Sequence, residues 1–232
     1  GVGKTTLAAN LAWCSATISC RRTLLWDLDA AGGAGFLLGI EPHARRSAGA
    51  VIAKATDPAR LIRKTGFANL DLLPADESIR AIEAQLTTLG KRKRIAKLAA
   101  QLGKDYERIV IDCPPVLGET SAQVMRAADV VIVPLPPSPL SARAFDLVAR
   151  EVKANADPHP PILPVLSMLD LRRSLHKAAR DANPDWPVIP YSSAAEQCAV
   201  QRQPVGAFAP GTPAAQAFAR LWTAIERKLA KR

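Results

Sequence analysis

A glycine-rich loop at the start of the chain limits the folds that this sequence can adopt. The loop leads directly into an apolar helical run, and its residues are Gly1, Val2, Gly3, Lys4, Thr5 and Thr6. Glycines let the backbone approach phosphate oxygens, and a helix N-terminus aims N–H groups at them. The sequence therefore predicts that Lys4 reaches the β- and γ-phosphates, that Thr5 places its hydroxyl on Mg²⁺, and that Thr6 contacts a more distal part of the phosphate chain.

Apolar runs alternate with longer helical patterns along the rest of the chain, which is typical of βαβ units and a parallel sheet. The predicted strands are Thr23–Asp27, Leu70–Leu73, Arg108–Asp112, Val130–Pro134 and Ile162–Ser167. The predicted helices are Thr5–Ala16, Glu77–Leu102, Glu119–Ala127, Ser138–Asn155, Arg173–Ala182 and Pro213–Lys228. The runs 109–111 and 130–133 are apolar at every position, so we expect them in the middle of the sheet, covered by helices on both sides.

The composition is that of an ordinary globular protein, with 48% apolar and 22% charged residues. A chain of 232 residues suits one larger α/β domain, and we expect a single domain over residues 1–232. The sequence has no apolar run of about 18 residues and does not open like a secretion leader, which favours a cytoplasmic protein. Aromatic residues make up 5% of the chain, which argues against a nucleic-acid binder built on aromatic platforms.

The cysteines do not suggest a disulfide framework or a metal cluster. They are Cys14, Cys20, Cys113 and Cys198, and no two of them form a CxxC pair. We therefore expect free, reduced thiols. An iron–sulfur protein is disfavoured because Cys113 and Cys198 lack an evident cluster-ligand setting.

Acidic residues follow two of the predicted strands at the point where each strand ends. Asp112 ends one of them, and Asp27 and Asp29 lie at the end of the other. Ligands of open α/β sheets bind at the carboxyl ends of strands, so the three acids suggest one metal–phosphate site, with Asp112 beside Mg²⁺ through a metal-bound water. The alternative for Asp27 and Asp29 is helix capping or turn formation in the loop Ala30–Gly35.

These motifs occur in an order that resembles the ParA/MinD family of deviant Walker ATPases over almost the whole chain. The matching stretches are residues 1–6, 27–29, 109–115, 128–134, 137–140, 165–170 and 189–190. The resemblance implies a three-layer α/β P-loop NTPase fold, with a mostly parallel central sheet flanked by helices. It also implies a Mg²⁺-dependent ATPase that forms a homodimer on ATP and releases it on hydrolysis.

The resemblance also assigns roles to individual residues. Asp29 matches the acid that positions the attacking water, Asp27 matches its switch partner, and Asp112 matches the Walker-B acid. Ser167 lies where relatives often carry a polar contact to adenine, and Pro190 lies in the segment that lines the adenine.

The family implies partners as well. ParA relatives bind nonspecific DNA and MinD relatives bind a membrane, and a ParB-like or cargo adaptor stimulates the slow ATPase. We expect a bacterial, nucleoid-associated ATPase that drives plasmid or chromosome partition or positions another cargo. The alternatives are a MinD-like membrane-associated regulator of division-site or complex placement, and a nonenzymatic scaffold. The residues do not identify the cargo.

The sequence departs from the family pattern before the phosphate loop and after the acidic pair. The family's signature lysine would lie two residues upstream of Gly1, so we expect a chain truncated at its N-terminus that lacks the first strand of the sheet. Loss of that strand would leave two rows of backbone groups unpaired. Ala30 and Ala31 also stand where Pro-Gln commonly follows the acidic pair. The resemblance therefore does not predict the detailed structure of this loop.

The charge balance favours a polyanionic partner. The chain has 31 Lys and Arg against 21 Asp and Glu, a net charge of +10, and a pI near 9.8. Arg173, Lys177 and Arg180 share one face at helical spacing, and Arg172 precedes them. The helical spacing makes Arg173, Lys177 and Arg180 candidate phosphate contacts. The resemblance implies a DNA contact just after the preceding strand, which makes Arg172 and Arg173 the best candidates. The alternative is a solvated helix face, and Ala194 stands where a second basic contact is expected.

Two other segments leave alternatives open. The densest basic run, Lys91–Arg94 with Lys97, is either a DNA contact or a solubilising part of a surface helix. The last helix carries an apolar stripe with basic residues beside it, formed by Phe218, Leu221, Trp222, Ile225 and Leu229. Such a stripe either lies on a membrane or packs the helix onto the sheet.

Overall fold

The computed structural model describes residues 1–41, 47–53, 57–81, 93–114, 118–155 and 159–230. The strands are β1 (Thr23–Asp27), β2 (Arg63–Lys64), β3 (Leu70–Leu73), β4 (Arg108–Asp112), β5 (Val131–Leu135), β6 (Ile162–Leu169) and β7 (Val188–Pro190). The helices are α1 (Lys4–Thr17), α2 (Gly33–Leu37), α3 (Ala48–Ile52), α4 (Arg94–Leu102), α5 (Glu119–Ala127), α6 (Pro139–Asn155), α7 (Ser174–Ala182), α8 (Ser193–Gln201), α9 (Val205–Phe208) and α10 (Pro213–Leu229).

Strand β1 shows how both faces of the sheet are covered. It is buried at every position, and its successive side chains point to opposite faces. Leu25 joins an apolar cluster with α1 and α10, whereas Leu24 and Trp26 join a second cluster with α3, α4 and α5. The result is a helix–sheet–helix arrangement with two apolar interfaces, which confirms the predicted α/β fold class.

The strands form two sheets. In the first, β1 pairs in parallel with β3 and β4, and β2 pairs antiparallel with β3, which gives the order β2-β3-β1-β4. In the second, β5, β6 and β7 pair in parallel in that order. The carboxyl ends of the parallel strands of each sheet therefore lie at one edge of that sheet, where α/β proteins bind their ligands.

The positions of β4 and β5 differ from the prediction. Each is an edge strand, since neither has a partner on its second side within the described residues. The apolar side chains at 109–111 and 130–132 are accordingly half-exposed. Helix α1 packs against both strands and so bridges the two sheets. The expected place of these strands in the middle of one sheet is therefore wrong for this chain, and the missing first strand stays a prediction.

Most other predicted elements lie where the sequence indicated. Strands β1, β3 and β4 have the predicted bounds, and β5 begins one residue later than predicted. The long predicted helix from Glu77 is helical at 78–81 and again in α4, while residues 82–92 lie outside the described residues. The sequence patterns do not predict the short elements α2, α3, α8, α9, β2 and β7. All four cysteines are free, as predicted.

The apolar stripe of the last helix packs into the protein core. Phe218, Leu221, Trp222 and Ile225 are all buried, and α10 lies against α1. The Trp222 indole Nε1 donates a hydrogen bond of 2.8 Å to Ser19 Oγ. The packing alternative is therefore confirmed for this stripe. Within the described part of the chain, no helix is long and apolar enough to cross a membrane.

The described basic residues of the run Lys91–Lys97 differ in burial. Arg94 is buried, and its Nη2 donates a hydrogen bond of 2.7 Å to the carbonyl of Val51, while its Nε donates to that of Ile52. These carbonyls lie at the C-terminal end of α3, so Arg94 caps that helix and is not exposed to a partner. Lys93 and Lys97 are exposed, and residues 91–92 lie outside the described residues. A DNA contact by Arg94 is therefore a wrong expectation.

Candidate nucleotide and magnesium site

The phosphate loop ends in a left-handed glycine that starts helix α1. Gly3 adopts φ 85° and ψ 22°, and the helix begins at Lys4. No side chain of the described residues caps this end, and the first turn holds no acid. The first N–H groups of a helix have no partner within the helix, so they are available to an anion. This local geometry fits the predicted phosphate site.

Asp112 lies beside the loop at the end of β4. It is 1% exposed, and its neighbour across the sheet is Asp27. Burial raises the pKa of Asp112 to about 6, while hydrogen bonding from Thr5 and the charge of Lys4 lower it. Its Oδ2 atom is buried without a hydrogen-bond partner in the described structure. A buried carboxylate oxygen without a donor is unfavourable unless a cation or a proton meets it.

Asp27 organises the loop that follows β1. Its Oδ1 accepts the backbone N–H of Asp29 at 2.9 Å, and its Oδ2 accepts that of Ala34 at 3.0 Å. Burial, with the nearby charge of Asp112, raises the pKa of Asp27 to about 7. Asp29 is half-buried, and its Oδ1 accepts the N–H of Ala31 at 3.0 Å. Asp27 thus holds the loop, and Asp29 is the more accessible of the two acids.

The donor set of this site fits Mg²⁺ held together with a phosphate. No group of three or more His, Cys, Asp or Glu side chains placed to hold a metal occurs among the described residues. Mg²⁺ is commonly bound by one or two carboxylates plus substrate phosphates and waters. Asp112 has an oxygen without a partner, and the Thr5 side chain hydrogen-bonds Asp112. These two residues provide part of a Mg²⁺ ligand set, which phosphate oxygens and waters would complete.

A pocket adjoins the phosphate loop at the ends of β6 and β7. It has a volume of about 140 Å³ and includes loop residues Val2, Gly3 and Thr6. Ser167 and Pro190, predicted to contact adenine, line the same pocket, and Ser167 Oγ donates a hydrogen bond of 3.3 Å to the Val2 carbonyl. The structure therefore brings these predicted nucleotide-binding residues together around one cavity.

Irregular geometry in β6 forms one wall of this pocket. Met168 adopts φ 56°, in the left-handed region, and the pairing of β6 with β7 shifts register between Leu166 and Leu169. The bulge places the Met168 side chain at the pocket, where its Cε lies 3.4 Å from a Cβ built on Gly3. Met168 is not among the residues predicted to bind nucleotide, because no local pattern in the sequence marks a bulge at that position.

The basic residues at α7 occupy unequal environments. Arg173 and Lys177 are exposed. Arg172 forms a bidentate pair with Asp170, at 2.8 and 2.9 Å, and hydrogen bonding from Arg172 lowers the pKa of Asp170 to about 2. Arg180 is half-buried and donates a hydrogen bond of 2.8 Å to the Trp186 carbonyl. Arg173 and Lys177 are thus the members of this group whose charges face solvent without an ion pair among the described residues.

The fold and the site define a P-loop nucleotide-binding protein. A family model described as an AAA domain matches residues 1–158, which is more than half of the chain. The chain is also 34% identical over 191 residues to the chromosome partitioning protein ParA of Caulobacter vibrioides, covering 78% of this chain and 71% of that protein. The chain therefore belongs to the ParA/MinD family of P-loop ATPases.

The chain also resembles another curated protein and a solved structure. The sporulation initiation inhibitor protein Soj of Bacillus subtilis is 34% identical over 137 residues, covering 58% of this chain and 54% of Soj. The chain thus spans about half the length of this curated relative. Among solved structures, it resembles the cobyrinic acid a,c-diamide synthase of Mycobacterium smegmatis with bound ATP analogue and magnesium, with a TM-score of 0.84, 27% identity and coverage of 98% and 90%.

Proposed function

We propose that this chain is a ParA-like ATPase that dimerises on ATP, binds nonspecific DNA and hydrolyses ATP to drive partition of a replicon or positioning of another cargo. The observation that carries the proposal is the meeting of the phosphate loop with the acids at two adjacent strand ends, above all Asp112 with its unpartnered buried oxygen. Family membership and the partition proteins among the relatives support it.

At the phosphate end of the site, different residues would bind the phosphates, bind Mg²⁺ and orient the attacking water. The N–H groups at the start of α1 and the ammonium of Lys4 would hold the phosphates. Thr5 and Asp112 would hold Mg²⁺, Asp112 through a metal-bound water as the family resemblance implies. Bound Mg²⁺ supplies charge neutralisation of the phosphate oxygens. Asp29 orients the attacking water, and Asp27 keeps the Asp29 loop in place through its two backbone hydrogen bonds.

The adenine end of the site uses the pocket beside the loop. Its lining is largely apolar at Met168, Ile189 and Phe218, with the hydroxyl of Ser167 at one side and Pro190 at another. Apolar walls with a few polar groups are the usual setting for a flat base. We therefore assign ATP as the substrate and Mg²⁺ as the cofactor, in line with the ligands bound to the similar solved structure.

The DNA contact is assigned to the start of α7. Arg173 and Lys177 are the exposed cations there, while Arg172 and Arg180 carry partners of their own. A ParB-like or cargo adaptor would stimulate hydrolysis and release the homodimer from DNA. Such cycling predicts a protein associated with the nucleoid in the bacterial cytoplasm.

The test is retention of the chain on nonspecific duplex DNA with ATP, with ADP and without nucleotide, as a function of salt. The variant Arg173→Glu/Lys177→Glu should lose ATP-dependent retention. The matched control Arg220→Glu/Arg227→Glu makes the same charge change on two exposed residues of α10 and should retain most of it. The loss of two phosphate contacts should also reduce the magnitude of the slope of log K for DNA binding against log salt concentration by about 2.

The same preparation is assayed on anionic liposomes and for ATP hydrolysis. Retention on liposomes alone would replace the DNA assignment with the MinD-like one. Equal loss of DNA retention in both charge-reversed variants would show general electrostatics and contradict the α7 assignment. Hydrolysis that survives Lys4→Ala would contradict the assignment of the phosphate site.

A further inference from the structure

A separate pocket lies at the opposite end of β1 from the acids of the candidate nucleotide site. It is formed where Arg22 precedes β1 and where the turn at residues 65–69 enters β3. Its volume is about 330 Å³, which falls within the range of small-molecule sites. The five residues of β1 place it on the order of 15 Å from the nucleotide side, so the two sites do not share residues.

The floor of this pocket is a buried carboxylate that is already paired. Asp71 is 7% exposed, and its Oδ2 accepts hydrogen bonds of 2.8 Å from both Lys64 Nζ and Tyr106 Oη. Burial, together with the hydrogen bond to Asp71, raises the pKa of Tyr106, so its phenol stays protonated and donates to Asp71. The negative charge at the floor is therefore neutralised before any ligand binds.

Arg22 provides a cation without a carboxylate partner among the described residues. Its guanidinium carbon lies 5.8 Å from the centre of the Tyr106 ring. The nearby acid, Glu107, accepts hydrogen bonds from Arg21 Nη1 at 2.7 Å and from the backbone N–H of Arg22 at 3.0 Å. A cation–π contact of this length does not occupy the N–H groups of an arginine, which can then bind a carboxylate or a phosphate.

The remaining lining matches an organic anion. Asn69 adds a side-chain amide at the rim, and Phe67 and the Tyr106 ring add apolar surface. The charged side chains of the lining are Arg22, Lys64 and the paired Asp71, so one positive charge is in excess. We propose that this pocket binds a small organic anion through a carboxylate or phosphate group held by Arg22 and Lys64. The proposal is independent of the nucleotide site.

The test uses the full chain, labelled with ¹⁵N and titrated with citrate and separately with inorganic phosphate. Each titration is repeated in Lys4→Ala, because the phosphate loop also binds phosphate. We expect saturable shifts at the backbone amides of Gly66, Ala68 and Asn69 that Lys4→Ala does not change. Since Arg22 is exposed, Arg22→Gln should stay folded and weaken binding by about tenfold, the loss of one strong charge-assisted contact.

The matched control is Arg63→Gln. Arg63 is an exposed neighbour of Lys64 that does not line the pocket, so solvent screening of its charge should keep the change in the dissociation constant below about twofold. Equal weakening by the two variants would overturn the proposal in favour of general electrostatic attraction. Shifts confined to the phosphate loop, or no shift at millimolar citrate and phosphate, would also overturn it. Saturable binding with a lower dissociation constant for phosphate than for citrate would support the proposal with phosphate as the preferred group, and the reverse would support it with carboxylate.

Discussion

Gly33 at the start of α2 lies directly against Thr5 of the phosphate loop. A Cβ atom at position 33 would lie 3.1 Å from Thr5 Cγ2 and 3.5 Å from its Oγ1. The loop that carries Asp27 and Asp29 is therefore in contact with the residue proposed to hold Mg²⁺. A side chain added at position 33 would therefore crowd Thr5, and Thr5 or the loop would have to shift by a few tenths of an ångström.

The first prediction concerns this contact. Gly33 has no positive φ, so Gly33→Ala fits the backbone and acts through the crowding of Thr5. A shift of Thr5 by a few tenths of an ångström should weaken Mg²⁺–ATP binding by roughly tenfold, about 1.4 kcal/mol. The measurement is a fluorescence titration with a labelled ATP in the presence of Mg²⁺.

A second substitution tests the cause. Thr5→Ser keeps the hydroxyl and removes Cγ2, the atom that the new methyl meets first. Gly33→Ala/Thr5→Ser should therefore recover most of the affinity, whereas Thr5→Ser alone should stay close to the parent. No recovery in the double variant would show that Gly33 acts through its own backbone. Gly211→Ala, where a Cβ meets nothing within 4 Å, serves as the neutral control.

The second prediction follows from Asp27. Burial raises its pKa from 3.8 to about 7, so the folded chain binds more protons than the unfolded chain between these values. Stability from this group is therefore complete below pH 4 and is lost as the pH rises through about 7. The loss amounts to at most about 4 kcal/mol, at about 1.4 kcal/mol per pH unit. Urea unfolding of the nucleotide-free chain across this pH range measures it.

Asp27→Asn separates this effect from other titrations. Below pH 4 the protonated Asp27 and an asparagine each present one carbonyl oxygen to the N–H groups of Asp29 and Ala34, so the two chains should have similar stability there. Asparagine does not ionise, so the variant should lose less stability as the pH rises, and the two curves should diverge. Asp146→Asn, an exposed acid on α6, should run parallel to the parent. Parallel curves for Asp27→Asn would contradict the assignment.

The sequence predicts the strands that are apolar and bounded by acids or turns. Strand β1 is a clear case, because the apolar run before Asp27 is buried at every position. Strand β2 consists of Arg63 and Lys64, both exposed, and exists only because it pairs with β3. No local signal distinguishes such a strand from a loop, since its stability comes from a tertiary partner.

The candidate site shows the same division. The acids at strand ends and the glycine loop follow from local sequence patterns, so the sequence predicts Asp27, Asp29 and Asp112 together. The sequence does not predict helix α2, because this segment is rich in glycine, which disfavours helices. The helix forms where Asp27 Oδ2 accepts the N–H of Ala34. The contact of Gly33 with Thr5 depends on that loop geometry, so the spacing of residues in the sequence does not predict it.

The third prediction concerns the buried arginine of the basic run. Arg94→Met keeps the aliphatic length but removes the donors to the carbonyls of Val51 and Ile52. Leaving these buried acceptors unpaired should lower the free energy of unfolding by about 2 kcal/mol. ATP-dependent DNA retention of the folded variant should not change. Lys97→Met, at an exposed position of α4, should leave stability within about 0.5 kcal/mol. Unchanged stability with reduced DNA retention in Arg94→Met would return this arginine to the DNA-binding surface.

The fourth prediction tests the packing of α1 on α9. A Cβ on Gly206 would lie 2.5 Å from Cη2 and 2.9 Å from Cε3 of Trp13, and closer still to Cζ3. Gly206→Ala should therefore lower the free energy of unfolding by about 2 kcal/mol through overpacking, although alanine favours a helix by about 1 kcal/mol over glycine. Urea denaturation measures the change, with Gly211→Ala as control. Trp13→Leu removes the ring, so adding Gly206→Ala to it should cost little, and this non-additivity identifies the contact. A Gly206→Ala chain as stable as the parent would mean that the Trp13 ring moves aside freely and that this interface is not tightly packed.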